Sequence, residues 1–188
     1  MKLLLATPIF PPEIGGPATY TKELVHKLRS SHEITILAYA DNPEPLPHAK
    51  LRLVSKRNPL IVRLTQYFFA AIHEVARADV VYVQNAMAAG LPIALACMLS
   101  RKAFILKFVG DEAWERAQQH RKTKKRLEEF LAHPEGGWKI RAMMRIQKFV
   151  LSRAAFVTTP SAYLREELVR HYHLQASRGW FRRSPSMT

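Results

Sequence analysis

The sequence has very little cysteine and few glycines, and both shortages exclude classes of protein. Its single cysteine, Cys97, excludes an internal disulfide and fits a reducing compartment. The seven glycines form no Gly-x-Gly-x-x-Gly motif, which argues against a nicotinamide dehydrogenase, and the Walker pattern is also absent. The eight histidines do not cluster, and no carboxylate or cysteine accompanies the pair His171 and His173. We therefore predict neither a bound cofactor nor a metal site.

Long hydrophobic runs are also missing. The apolar run near the start is interrupted by Thr7 and Pro8, so it is too short for a signal peptide and is typical of a buried first strand. The most apolar later stretch, residues 86–99, contains Gly90 and Pro92 and falls short of the ~20 residues that span a bilayer. We expect no transmembrane segment.

Positive charge, in contrast, is abundant and unevenly distributed. The chain carries 29 basic and 15 acidic residues, a net charge of +14. Residues 101–153 alone hold 14 basic and 6 acidic side chains, so more than half of the excess lies in about a quarter of the chain. A local excess of this kind predicts a basic face that attracts phosphates, anionic lipid or nucleic acid.

Helical and strand patterns alternate along the chain. β-branched and apolar runs indicate strands at 2–6, 33–39, 51–54, 80–83, 103–109 and 156–159, and helical spacing indicates helices at 18–29, 60–76, 88–99, 138–153 and 161–171. Residues 113–131 are helical at both ends, with no apolar residue over 118–126. This alternation predicts a Rossmann-like three-layer α/β/α domain with a mainly parallel sheet over residues 1–174. Residues 175–188 show no periodicity and are expected to be a disordered or non-native tail.

Two loops at the carboxyl ends of strands are candidates for ligand binding, since open α/β sheets bind ligands there. Gly15 and Gly16 follow the first strand and run into a helix, where free backbone N–H groups favour an anion. The alternative is a plain turn. Asp111 and Glu112 follow the fifth strand, where a carboxylate can bind sugar hydroxyls or act as a base. The alternative for Asp111 is a helix N-cap, and for Asn85, after the fourth strand, a structural role is favoured.

The helix over 138–153 carries a basic face. Arg141, Arg145 and Lys148 are spaced to share one side of it, and Lys124, Lys125 and Arg126 belong to a basic run just before it. The pattern fits a solvated helix face or a surface that docks on anionic membrane lipid. Nucleic acid is the less favoured partner, because the basic run contains no aromatic residue on which a base could stack.

Three segments resemble family-4 retaining glycosyltransferases with the GT-B fold. They occur in the order of that family: Phe10-Pro11-Pro12-Glu13-Ile14-Gly15-Gly16, then Val109-Gly110-Asp111-Glu112-Ala113-Trp114-Glu115, then Thr159-Pro160-Ser161-Ala162-Tyr163-Leu164. The resemblance covers residues 1 to about 174 and implies the N-terminal, acceptor-side half of a GT-B fold. It implies transfer of a sugar from a nucleotide-sugar donor, used as a co-substrate, to a glycan or lipid-linked acceptor, with retention and without a bound metal.

The resemblance also implies roles for individual residues. Gly15 and Gly16 would approach the donor phosphates, and Asp111 would lie near the reacting sugar as the catalytic candidate. Many family members have histidine near that position, and retention does not require an enzymic base. The other residues expected to bind substrate are Asn85, Glu112, Trp114, Pro160 and Ser161. The implied location is cytoplasmic, peripheral on the inner face of the membrane.

One departure from the family is expected to matter. The donor domain of the family carries a Glu-x7-Glu motif, and no two glutamates of this chain are spaced in that way. We therefore expect the chain alone to be inactive. The alternative function is a non-catalytic acceptor- or membrane-docking module that serves a separate donor-domain chain.

Overall fold

The structure is a computed structural model that describes residues 1–174 and the backbone of a two-residue strand at 180–181. Seven parallel strands form one sheet: β1 (Lys2–Thr7), β2 (Glu33–Tyr39), β3 (Ala49–Val54), β4 (Val80–Val83), β5 (Ile105–Lys107), β6 (Phe156–Thr158) and β7 (Trp180–Phe181). Seven helices lie between them in the described chain: α1 (Gly16–Leu28), α2 (Leu60–Arg77), α3 (Gly90–Leu99), α4 (Glu112–Gln119), α5 (Leu127–Ala132), α6 (Trp138–Arg153) and α7 (Ala162–Tyr172). The predicted Rossmann-like α/β fold is confirmed, and its sheet is parallel throughout.

The strand order, β3-β2-β1-β4-β5-β6-β7, identifies where a ligand crevice belongs. The chain builds the sheet outward from β1 to β3 and then returns through α2 to β4, on the other side of β1. The direction of winding therefore reverses between β1 and β4. Sheets of this type bind ligands at that switch point, beyond the carboxyl ends of the strands.

The two faces of the sheet are covered unequally. Alternate residues of β1 point to opposite faces, so Leu4 and Ala6 belong to one core cluster and Leu3 and Leu5 to the other. The larger cluster packs the sheet against α2, α3, α4, α6 and α7. The smaller cluster lies under α1, and Tyr82 and Val80 of β4 are only partly buried at its margin. An accessible hollow therefore remains beside α1.

The structure corrects the expected bounds of one strand. The fifth strand spans only Ile105–Lys107 rather than 103–109, because its neighbours offer few paired residues at that point. The expected disordered or non-native tail, 175–188, lies outside the described residues except for Trp180–Phe181. There the backbone pairs in parallel with β6. None of the helices in the described part of the chain is long and apolar enough to cross a membrane.

Candidate functional site

A cavity of about 460 Å³ opens at the carboxyl edge of the sheet, beside the reversal between β1 and β4. One wall is the first two turns of α1, and the other is formed by residues at the ends of β4 and β5. Its volume is within the ~300–1,000 Å³ that is usual for small-molecule sites. The residues that line it are Gly16, Pro17, Thr19, Tyr20, Glu23, Gln84, Lys107 and Val109.

The glycine loop forms the rim of this cavity. Gly15 is the N-cap residue of α1 and Gly16 is its first helical residue, and no side chain caps the helix. A Cβ atom added at Gly16 would meet nothing within 4 Å, so the backbone here is open to a ligand. The positive end of the α1 dipole and the uncapped amides of its first turn favour an anionic group at this position.

Gln84 lies on the floor of the cavity, directly after β4, and is only 3% exposed. Its Nε2 donates to Thr21 Oγ1 at 2.7 Å, and the Thr21 hydroxyl donates in turn to the Pro17 carbonyl at 2.8 Å. Because the hydroxyl proton is used on Pro17, the Gln84 amide is oriented with its nitrogen toward Thr21. Gln84 Oε1 is then left without a hydrogen-bond partner within the described structure.

Lys107, the last residue of β5, supplies a positive charge to the same cavity. Its Nζ lies 2.9 Å from the centroid of the Tyr20 ring. Burial lowers the pKa of Lys107, and the Glu23 carboxylate partly opposes that shift. The Lys107 ammonium lies on the Tyr20 ring and makes no hydrogen bond or ion pair with another described residue, so it can donate to a ligand in the cavity.

Asp111 is buried rather than directed into the cavity. It is 1% exposed and is the N-cap residue of α4, where its Oδ1 accepts the Trp114 backbone N–H at 2.9 Å. Its Oδ2 accepts the hydroxyl of Tyr172, which comes from the end of α7. The N-cap alternative is therefore what the structure shows. In this arrangement both carboxylate oxygens are engaged, and Asp111 does not line the cavity.

Glu112 connects the acidic turn to the loop after β4. Its Oε1 accepts the Met87 N–H at 3.1 Å, and its own N–H donates to Gln147 Oε1 at 2.8 Å. Burial raises the pKa of Glu112, against an opposing hydrogen bond from the Asn85 side chain. Asn85 also accepts the Ala89 N–H through Oδ1 at 3.2 Å, which is a structural use of the side chain.

The remaining predicted substrate residues lie on the same edge but outside the cavity lining. Trp114 is half-buried, and its Nε1 donates to the Lys125 carbonyl at 3.0 Å. Pro160 and Ser161 follow β6 and are exposed. Ser161 caps α7 by accepting the Leu164 N–H through its Oγ at 3.2 Å, as the sequence predicted.

The predicted basic surface is largely solvent-exposed. Arg141, Arg145 and Lys148 all lie on the exposed side of α6, whose opposite side is buried. Of the preceding run, Lys124 and Arg126 are exposed, whereas Lys125 is half-buried and forms an ion pair with Glu135 at 2.7 Å. Within residues 1–174 no group of three potential metal ligands comes together.

The structure thus brings part of the predicted site together and adds residues that sequence reasoning missed. Gly16 and Val109 line one cavity, so the glycine loop and the segment that leads to the acidic turn share a rim. Missed were Tyr20, Gln84 and Lys107. Two of them left a signal in the sequence. Gln84 is a polar residue directly after a buried strand, and Lys107 is a lysine within the apolar sequence Ile-Leu-Lys-Phe.

Known proteins resemble the chain in sequence and in fold. The family model described as "Glycosyl transferase 4-like domain" matches residues 15–179. No curated protein sequence matches the chain. Among solved structures, Anabaena HepE in complex with UDP has a TM-score of 0.63 and 14% identity over 96% of this chain and 43% of its own. HepE has also been solved with UDP and glucose and with UDP-glucose.

Epimerases share the same fold. The UDP-GlcNAc 2-epimerase of Methanocaldococcus jannaschii has a TM-score of 0.59 and 11% identity, over 96% of this chain and 45% of its own. A putative UDP-N-acetylglucosamine 2-epimerase from Listeria monocytogenes has a TM-score of 0.57 and 14% identity, over 89% of this chain and 42% of its own. The chain spans less than half the length of these structures. At these identities the likeness shows the fold, which is one half of the GT-B arrangement.

Proposed function

Since the chain belongs to the glycosyl transferase 4-like domain family, we propose that it is the acceptor-side domain of a glycosyltransferase that uses a nucleotide sugar and retains the anomeric configuration. A second domain would bring most of the donor site to the carboxyl edge of the sheet. The chain alone is then inactive or nearly so, and turnover of a nucleotide sugar by the purified chain would contradict this part of the proposal.

The observation that supports the proposal is the open rim around Gly16. An uncapped helix start and a glycine with free space lie over a cavity at the point where the sheet reverses direction. In α/β proteins this is where the phosphates of a nucleotide are bound, by backbone amides and the helix dipole. The solved structures with this fold include one with UDP and one with UDP-glucose, which is consistent with such a ligand.

We assign Asp111 a positioning role in this reaction. Its carboxylate caps the start of α4, and Glu112 and Trp114, which follow it on that helix, are proposed to contact substrate at the carboxyl edge. Glu112 is half-buried and has a raised pKa, which suits a carboxyl group that binds sugar hydroxyls or exchanges a proton with them. Asn85, Pro160 and Ser161 are proposed to contact substrate at the same edge.

Titration of UDP and UDP-glucose into ¹⁵N-labelled chain tests the proposal. We expect weak, saturable binding with amide shifts at Gly15, Gly16 and Ala18. Gly16→Glu should abolish the shifts, because its carboxylate would repel the phosphates at the helix start. Gly16→Gln adds a side chain of nearly the same size without the charge, so it separates the effect of charge from that of size. It should weaken binding less than Gly16→Glu does. Shifts confined to another edge of the sheet would contradict the proposal.

The exposed face of α6 supports the second candidate, a docking module on anionic membrane that serves a separate donor-domain chain. Arg141, Arg145 and Lys148 lie on its exposed side, and Trp138 at its start is 74% exposed. Each cation near an anionic membrane contributes about 1 kcal/mol, and tryptophan favours the membrane interface. This candidate places the protein at the inner face of a membrane, where a lipid-linked acceptor is found.

Co-sedimentation with vesicles tests this candidate. The chain should bind vesicles that contain phosphatidylserine and not pure phosphatidylcholine vesicles. A triple variant, Arg141→Gln, Arg145→Gln and Lys148→Gln, should lose most of that binding. A control with equal loss of charge at exposed positions elsewhere, Lys27→Gln, Arg29→Gln and Arg57→Gln, should retain it. Equal losses in both triple variants would mean that net charge alone drives binding.

A further inference from the structure

We infer that the cavity beneath the glycine loop binds an anionic sugar unit of the acceptor, with Lys107 contacting its carboxylate or phosphate and Gln84 accepting one of its hydroxyl protons. The inference rests on the proposed function and specifies the acceptor class. It assigns the deep part of the cavity to the acceptor and leaves the rim at Gly15 and Gly16 to the donor phosphates.

The first observation is the unpaired charge of Lys107. A half-buried ammonium is stabilised by an anion or by several acceptors, and among the described residues Lys107 has only the face of Tyr20 and the more distant Glu23. Burial that lowers the pKa of a lysine shows that the surroundings disfavour its charge. An oxyanion in the cavity would replace the lost hydration with charge-assisted hydrogen bonds.

The second observation is the unpaired oxygen of Gln84. The side chain is 3% exposed, and its Oε1 has no donor among the described residues. A buried acceptor without a donor costs about 1–3 kcal/mol, and a donor group of a ligand in the cavity would remove that cost. Gln84 lines the same cavity as Lys107, and the bond to Thr21 holds its nitrogen away. Gln84 Oε1 therefore needs a hydrogen-bond donor from the ligand, and a sugar hydroxyl is such a donor.

The remaining lining indicates how many charges the ligand carries. Pro17 and Val109 present apolar surface that suits the C–H face of a sugar ring, beside the Tyr20 ring that Lys107 covers. Glu23 adds a carboxylate to the wall, which repels a group with several negative charges while accepting hydroxyl protons. One lysine facing one glutamate fits a singly charged sugar better than a nucleotide diphosphate. A carboxylate is therefore favoured over a phosphate monoester.

The test measures binding of three small sugars to the full chain by amide and lysine side-chain NMR. Glucuronate should bind with shifts at Gly16, Val109 and Lys107 Nζ. Glucose should bind at least about fivefold more weakly, because it lacks the anion. Tighter binding of glucose 6-phosphate that also depends on Lys107 would support the anion site and identify phosphate as its source. Equal binding of glucose and glucuronate would overturn the inference.

Variants separate a specific site from general attraction to a basic protein. Lys107→Gln should weaken glucuronate binding about tenfold, as expected for loss of a charge-assisted hydrogen bond. Lys107→Arg should keep most of the affinity. Lys27→Gln removes the same charge from the exposed side of α1 and should change nothing. Equal effects of Lys107→Gln and Lys27→Gln would overturn the assignment.

The result is independent of the test of the proposed function. If UDP-glucose shifts the amide signals of Gly15 and Gly16 but glucuronate binding does not depend on Lys107, the acceptor assignment fails and the sugar-transfer proposal stands. If glucuronate binds through Lys107 and no nucleotide binds at the rim, the anionic-sugar site stands and the transferase assignment fails.

Discussion

The hydroxyl of Tyr172 donates a hydrogen bond to the buried carboxylate of Asp111, across 61 residues of sequence. Gln147 donates to the same hydroxyl at 2.9 Å, so the end of α7 and the middle of α6 both hold the start of α4. Tyr172 is 3% exposed, Asp111 1% and Gln147 fully buried. A fully hydrogen-bonded buried network of this kind fixes one arrangement of the helices around it.

Tyr172→Phe should therefore destabilise the fold. It leaves Asp111 Oδ2 and Gln147 Nε2 each without its hydrogen-bond partner, at a cost of about 1–3 kcal/mol. Urea unfolding followed by circular dichroism measures the change. Tyr163→Phe is the matched control, since its hydroxyl donates to Glu128 on the exposed surface. It should change the unfolding free energy by less than about 0.5 kcal/mol. A similar effect from both substitutions would mean that the buried network is not formed.

Glu112→Gln should alter how stability depends on pH. Because burial raises the pKa of Glu112 in the folded state, the wild type loses stability as the pH rises through that pKa. Glutamine cannot ionise, so the variant escapes this loss. The difference in unfolding free energy, variant minus wild type, should therefore increase from pH 4 to pH 8 by on the order of 1 kcal/mol.

The control for this pH dependence is Glu166→Gln, which removes an exposed carboxylate from α7. Its difference from the wild type should stay nearly constant over the same range. Urea unfolding at four or five pH values is sufficient for both variants. A Glu112→Gln difference that falls as the pH rises would contradict the burial of that carboxyl group.

The fold and the carboxyl edge could be predicted from the sequence because they follow from local patterns. The helix Trp138–Arg153 was predicted with both ends correct, since its apolar spacing is regular. Ser161 was recognised as an N-cap from its position alone. In a parallel sheet every strand ends at the same edge, so Gly16 and Val109 had to lie on one rim once the alternation was recognised.

The cavity itself could not be predicted, because its residues come from three separate elements. Tyr20 is on α1, Gln84 follows β4 and Lys107 ends β5, and no spacing in the sequence links them. The environment of Asp111 was also not predictable, because the residue that buries it, Tyr172, lies at the far end of the domain. The sequence left a base and an N-cap as equal alternatives, and the structure shows the N-cap bond from the Trp114 N–H.

Gly90 and Gly16 should respond oppositely to alanine. A Cβ at Gly90 would lie 2.5 Å from the Asn85 carbonyl oxygen and 3.1 Å from Val150 Cγ1. Because the Asn85 backbone cannot shift without disturbing its neighbours, Gly90→Ala should destabilise the fold by about 1–3 kcal/mol. Gly16→Ala meets no atom within 4 Å and should leave stability unchanged or raise it by up to about 1 kcal/mol. Thermal unfolding of both variants provides the comparison, and equal melting temperatures would contradict the close approach of α3 to Asn85.

Cys97 should be protected from alkylation until the chain unfolds. It is 2% exposed on α3, and burial raises the pKa of its thiol to about 12. The thiolate is the reactive form, so at pH 8 the native protein should react with iodoacetamide at least about a hundredfold more slowly than the same chain in 8 M urea. The raised pKa also means that the thiol stabilises the fold below its unfolded pKa, and that this contribution is lost as the pH rises toward 12. Mass spectrometry of timed samples gives the rate. Native labelling as fast as in urea would place the Cys97 end of α3 outside the core.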